Sequence, residues 1–147
     1  MPKNPPEDIP RITPYLVYRN VDAALDWLER AFGFKTRFSM PKPDGSLMYA
    51  EMGFFDGIIM IGPPNPEERA MSPADLGGVH QSLYVYVDDV KAHCEHARAS
   101  GASILMEPEE MFWGDLIYAT ADLEGHQWSF AQHIRDVAPE DVMPPQR

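Results

Sequence analysis

Residues 116–125 read L-I-Y-A-T-A-D-L-E-G, a strand-like run that ends in an acidic residue and a glycine. They match M-Y-A-E-M-G-F-F-D-G, residues 48–57, at an offset of 68. The likeness extends outward, because Tyr15 to Val21 align with Tyr84 to Val90 at an offset of 69, and one residue gained or lost near the helix end accounts for the difference. The chain is therefore an internal repeat, and the fold follows from reading one half.

Each half opens with a strand that passes straight into a helix. In ITPYLVYRNVDAALDWLERAFGF, the residues Val21, Ala24, Leu25, Leu28, Ala31 and Phe32 form one apolar stripe at helical period. Asn20 is placed to cap that helix and Gly33 to end it. In VHQSLYVYVDDVKAHCEHARASGA, Asp89 is the expected cap, Val90, Cys94 and Ala97 the thinner stripe, and Gly101 the stop. Three strands then follow in each half: KTRFSM, LMYAEMG and GIIMIG in the first, SILME, LIYATAD and HQWSFAQHI in the second. Asp56-Gly57 and Glu124-Gly125 are read as the tight turns before the last strands. The expected fold is α+β, two tandem βαβββ modules whose curved mixed sheets surround a shared trough, since one helix covers only one face of each sheet. That trough is the expected ligand site.

Eleven of the 15 prolines fall in three stretches and set the boundaries. Residues 1–10 form a Pro-rich arm, 11–61 the first module, 62–78 a Pro/Gly-rich linker, 79–134 the second module and 135–147 a tail. A length of 147 residues with 44% hydrophobic residues suits one compact domain or two small halves. Twelve Lys+Arg against 23 Asp+Glu give a formal net charge of -11, which repels nucleic acid and anionic membranes and favours a neutral or cationic small-molecule partner. No apolar run reaches the roughly 20 residues that span a bilayer, and the start MPKNPPEDIP lacks a signal peptide's apolar core. A cytoplasmic location is the expectation. The lone cysteine, Cys94, excludes an internal disulfide and a thiolate-rich metal cage.

The paired βαβββ modules, the D-x-E-G-H-x-W start of the last strand and the Y-V-D-D-V lead into the second helix resemble the vicinal oxygen chelate superfamily, the glyoxalase, bleomycin-resistance and extradiol-dioxygenase group. The resemblance covers about residues 11–134, and GVHQSLYVYVDDV with EPEEMFWGDLIYATADLEGHQWSF looks most like its bacterial glyoxalase/bleomycin-resistance-like members. It implies a homodimer. In the superfamily's enzymes, one His or Glu from the first and last strand of each half holds a divalent metal, leaving positions open for substrate oxygens. Carried onto this chain, those positions fall at Thr13, Ile61, Ser82 and Ser129, none of them a usual ligand. The resemblance therefore implies a lost metal site and no cofactor. A slip of two residues keeps a side chain on the same face and offers His80 and His133 in the second half, with Glu51 as a noncanonical carboxylate for the divalent-metal alternative.

His93 and His96 in H-C-E-H are helical neighbours, while Cys94 turns into the apolar stripe. They read as two solvated histidines beside a buried thiol. The inward set carries more information. If Ser82 faces inward, so do His80, Tyr84 and Tyr86, and if Ser129 does, so do Gln127 and Ala131, leaving Trp128 and Phe130 as core beneath the helix. Phe112 and Trp113 come from the loop MFWGD, and Tyr49, Glu51, Phe55 and Tyr118 are further candidates. The expected ligand-binding residues are Tyr49, Glu51, His80, Ser82, Tyr84, Phe112, Trp113, Tyr118 and Ser129, a mixed polar and aromatic lining that suits a small aromatic or cationic molecule. A metal-dependent lyase, isomerase or dioxygenase with noncanonical ligands is the alternative, and a noncatalytic regulatory module is a third class.

Overall fold

Asn20 and Gly33 bracket the first helix. In the computed structural model, which describes residues 2–145, the Asn20 side chain accepts from the Ala23 amide, and Gly33 ends the helix with φ +88°. The outermost ends of the two arms, residues 1, 146 and 147, lie outside the described residues. Helix α1 (Val21–Phe32) buries the apolar stripe, with Ala24, Leu28 and Ala31 fully enclosed. Around it run β1 (Tyr15–Val17), β2 (Lys35–Pro41), β3 (Leu47–Phe54) and β4 (Gly57–Gly62), in sheet order β1-β4-β3-β2. β1 pairs parallel with β4 and the other pairs are antiparallel.

The second unit repeats this plan. It holds β5 (Ser82–Tyr86), α3 (Val90–Ala99), β6 (Ser103–Glu110), β7 (Asp115–Ala121) and β8 (Gln127–His133), in order β5-β8-β7-β6 with β5 parallel to β8. Asp89 caps α3 by accepting from Ala92, and Gly101 follows the helix with φ +99°. The chain is α+β, with two tandem βαβββ modules, each built on a four-stranded mixed sheet. It divides into compact units at Gly78 and Val79. Among the described residues no helix is long and apolar enough to cross a membrane.

Segment 62–78 has structure of its own. It opens with the last residue of β4, makes a 3-10 turn at Pro66–Glu68 and ends in a single-turn helix, α2 (Pro73–Leu76). Ser72 is fully buried and accepts from the Ala74 amide, and Arg19 pairs with Asp75. The Arg19–Asp75 pair ties the segment to the residues between β1 and α1.

Under α3, Trp128 and Phe130 are buried, as the alternation predicts. Their rings lie nearly parallel at 6.1 Å, and Phe130 stacks on Tyr118 at 5.4 Å. His93 corrects one expectation. It shares a hydrogen bond of 2.6 Å with the Tyr118 hydroxyl and its ring lies 4.3 Å from that of Phe130, so it belongs to the packing beneath the helix, while His96 is exposed. A partner on a distant strand turned it inward. Truncating a ring in such a stack costs about 3–5 kcal/mol.

The turns also differ from expectation. Gly125 supplies the positive φ of the second turn, but in the first the left-handed residue is Phe55, at φ +52°, and Gly57 already belongs to β4. At Gly114, before β7, φ is +101° and a Cβ would lie 2.1 Å from the Arg135 carbonyl oxygen. The Gly114 carbonyl also accepts from the Ile134 and Arg135 amides. Gly114→Ala is therefore expected to cost about 3 kcal/mol, read as a lowered midpoint in urea unfolding with the slope unchanged.

Candidate functional site

Cross-strand pairing fixes which side chains share a sheet face. In the first unit Leu16, Ala50, Met52, Ile59 and Ile61 are all buried and alternate with residues of the opposite face. Tyr15 lies beside Met60, Met60 beside Glu51 and Glu51 beside Phe38, so those four cross the sheet in one row. Tyr15 and Phe38 are about half exposed. This is the face away from α1.

That register corrects the position assigned to Ile61. Ile61 pairs with Leu16 in the core, whereas Met60 pairs with Tyr15 as Ser129 pairs with Tyr84. The equivalent of Ser129 in the first unit is Met60. The four positions become Thr13, Met60, Ser82 and Ser129, two part-buried hydroxyls, one exposed hydroxyl and a thioether. Divalent metals of glyoxalase-type sites take imidazole and carboxylate, so this donor set does not fit such an ion.

Three rings share the face that carries the one carboxylate of that row. The Tyr49 ring lies 6.2 Å from Tyr15 on one side and 6.2 Å from Phe38 on the other, and its hydroxyl donates to Glu51 Oε2 at 2.7 Å. Burial, with the carboxylate beside it, pushes the Tyr49 phenol far above its ordinary range, so it stays a donor. Tyr15 lies across Gly62, where a Cβ would sit 2.2 Å from its hydroxyl. Among the described residues no cation pairs with Glu51.

The open face of the second unit is organised by a different carboxylate. Asp115, 2% exposed, accepts from Tyr84 at 2.6 Å and Tyr86 at 2.9 Å on Oδ2, and from His133 Nδ1 at 2.8 Å on Oδ1. Trp113 Nε1 donates to the Tyr84 hydroxyl at 3.1 Å, and Phe112 packs edge-on against Trp113 at 4.9 Å. Burial works to raise the Asp115 carboxyl, yet hydrogen bonds from Tyr84, His133 and Tyr86 outweigh it and leave the group below its ordinary value. Burial and then Asp115 push Tyr84 up to about 12. Asp136, at 2.7 Å from Nε2, and then Asp115 raise the His133 imidazolium above 6.5.

The sequence candidates thus separate into groups. Tyr49 and Glu51 meet in the first unit; Tyr84, Trp113 and Phe112 meet around Asp115 in the second. Ser129 is half-buried beside Tyr84 and Ala119, and Ser82 is exposed opposite Gln127. His80 is exposed ahead of β5. Tyr118 is fully buried against Phe130 and His93, on the helix-covered face and away from Tyr84. Sequence reasoning missed Asp115, although its i, i+2 relation to Ile117 and Ala119 put it on the open face. It also missed Tyr15 and Phe38.

The letters C-E-H have another neighbour. Cys94, Glu95 and Glu107 bring ligand atoms within 4.8 Å of one another. Arg98 fills the cluster, pairing with Glu107 and Glu95 and donating to Cys94 Sγ at 3.8 Å. Burial raises the thiol, which keeps it protonated and unreactive.

Two opposite pH effects follow from the Asp115 hub. The Asp115 contribution is present above the ordinary carboxylate value of 3.8 and lost as pH falls through its lowered folded value. That of His133 is present below 6.5 and lost as pH rises through its raised value. We expect Asp115→Asn to cost about 1–3 kcal/mol near neutral pH and to bring the Tyr84 titration down from about 12 towards 10, seen by ultraviolet absorbance. His133→Gln is expected to abolish the loss on the alkaline side in thermal melts.

Comparison with known proteins agrees with the fold. The family model of the Glyoxalase/Bleomycin resistance protein/Dioxygenase superfamily matches residues 9–130. The uncharacterized protein Mb0911c of Mycobacterium bovis is 30% identical over 136 residues, covering 90% of each chain. The crystal structure of TioX from Micromonospora sp. ML1 superposes with a TM-score of 0.69 at 31% identity, over 85% of this chain and 99% of that one. The fosfomycin resistance protein FosX of Listeria monocytogenes, 12% identical with a TM-score of 0.64 over 91% of this chain and 98% of its own, shares the fold. The chain belongs to the glyoxalase/bleomycin resistance protein/dioxygenase superfamily.

Proposed function

We propose that this chain is a metal-free binding member of its superfamily that takes a small aromatic cation on the open face of its first sheet. The carrying observation is Glu51, a half-buried carboxylate with one oxygen held by Tyr49 and the other free to meet a ligand, on a face where the Tyr15 and Phe38 rings lie either side of the Tyr49 ring. A planar cation would stack on Tyr15, Tyr49 or Phe38 and place its charge against Glu51 Oε1. Cation–π contact with such rings contributes about 0.5–2 kcal/mol, and a charge-assisted hydrogen bond about 1.5–3 kcal/mol. The net charge of -11 draws the same class of ligand by long-range attraction.

Support also comes from the second unit, where Asp115 holds Tyr84 and Tyr86, and Tyr84 in turn holds Trp113, so the rings are positioned without a ligand. Rings held in advance lose less entropy on binding. Exposed Met40, Met48 and Leu105 support a homodimer, in which a second copy would cover apolar surface. The buried, protonated thiol of Cys94 is consistent with a cytoplasmic setting.

The test is calorimetric titration with ethidium as the planar cation, beside metal analysis of protein purified without chelator or affinity tag. Binding is expected to weaken about tenfold or more in Glu51→Gln and several-fold in Tyr49→Phe, with less than stoichiometric Mn, Fe, Co, Ni or Zn. Stoichiometric metal whose stabilisation disappears in a His80 or Glu51 alanine variant would overturn the reading and support the metal-dependent enzyme. Ethidium affinity unchanged in Glu51→Gln would overturn it too.

A further inference from the structure

The first unit carries another concavity, which shares no residue with the Tyr15–Phe38 row. A groove of about 540 Å³ lies between residues 3–10 and the turn joining β3 to β4, with Asp8, Ile9, Arg37, Phe55, Asp56 and Ile58 among its walls. Small-molecule sites commonly enclose about 300–1,000 Å³.

Local structure delivers its charges. Arg37 occupies the β2 irregularity between Thr36 and Phe38, where the pairing with β3 skips a residue. A bulge of this kind re-aims a side chain. The aliphatic stem of Arg37 lies across Gly53, where a Cβ would meet its Cδ at 3.1 Å, so glycine makes room for the arginine on the sheet. Among the described residues, the side chains of Arg37, Asp8 and Asp56 have neither a hydrogen-bonding nor an ion-pair partner. Opposite charges therefore line one groove without neutralising each other. Lys3, also on the wall, is held by Glu7 at 2.7 Å.

Phe55 supplies the apolar wall at a conformational cost. It is 77% exposed and left-handed, at φ +52°, in a turn position that favours glycine. Its ring meets Phe54 edge-on at 5.0 Å, and Phe54 tilts against the buried Phe34 at 4.9 Å. The ring is thus braced by the core, with a face left for stacking.

We propose that this groove is a binding site for a small aromatic zwitterion, with an aromatic α-amino acid as its simplest representative. The ligand's carboxylate meets Arg37, its ammonium meets Asp8 and Asp56, and its ring lies on Phe55. A ligand with only one charge would leave part of this set unanswered.

L-tryptophan is the probe, followed by amide chemical shifts of the full chain, with indole-3-propionate and tryptamine as relatives that each lack one charge. Expected are saturating shifts confined to residues 3–10 and 53–58, with affinity about tenfold weaker for each relative. Arg37→Met, which keeps an apolar stem, and Asp56→Asn should weaken tryptophan by a similar factor, while Glu51→Gln should leave it unchanged. Phe55→Gly should lose binding while melting at the same or a higher temperature. Absence of saturable shifts at about 20 mM tryptophan, shifts centred on Tyr49 and Glu51, equal affinity for the singly charged relatives, or unchanged affinity in Arg37→Met would each overturn the proposal. So would shifts in this region that depend on protein concentration alone, which would make a second copy the occupant.

Discussion

The Asp122 carboxylate sets the register of the second unit. It is 7% exposed and accepts from the Glu124 and His126 amides at 3.0 and 3.1 Å through Oδ1, and from the Trp128 indole at 3.1 Å through Oδ2. A carboxylate removed from water is costly unless its lone pairs are taken. Here the turn and the first core residue of β8 take them together. The result is an uninterrupted pairing of β7 with β8 from Ala121 opposite Gln127 to Asp115 opposite His133. Slipping that pairing by one residue would send Trp128 to the open face and Ser129 into the core. The placement of Tyr84 beside Ser129 and of His133 beside Asp115 depends on the same constraint.

This gives the D-x-E-G-H-x-W motif a physical meaning, and explains why it was readable. The hydrogen bonds that Asp122 accepts from Glu124, His126 and Trp128 are local, spanning at most six residues. Helix caps were legible for the same reason: Asn20 and Asp89 each accept from an amide three residues on. The β4 register was not, because GIIMIG is apolar on both faces and carries no alternation. Only pairing with β1 shows that Met60, and not Ile61, stands in the row with Tyr15. The fates of His93 and Tyr118 were hidden likewise, since an aromatic residue in LIYATAD fits either face and its partners lie on another strand and on α3.

The candidate site divides along the same line. Period-two alternation was enough to group Tyr49 with Glu51 and Tyr84 with Ser129 on their respective sheets. It could not give the Asp115 hub, whose donors Tyr84 and Tyr86 lie 31 and 29 residues away. Nor could it foresee Arg37, which a break in β2 pairing places beside Gly53.

The two open faces have come to opposite uses of a carboxylate. Asp115 is saturated by Tyr84, Tyr86 and His133, so its negative charge is spent within the chain on holding rings and a histidine in place. Glu51 receives one donor, Tyr49, while Tyr15 and Phe38 flank that donor and keep the region apolar. The other Glu51 oxygen stays accessible to solvent, since no buried side-chain acceptor among the described residues lacks a partner, and a ligand cation would meet it in a charge-assisted hydrogen bond of about 1.5–3 kcal/mol. Hydroxyls and a thioether at the neighbouring strand positions give no set that would capture a hard divalent ion ahead of such a ligand. Under the proposed reading, the strand positions that lack metal-binding side chains are the same ones that leave Glu51 open to an organic cation.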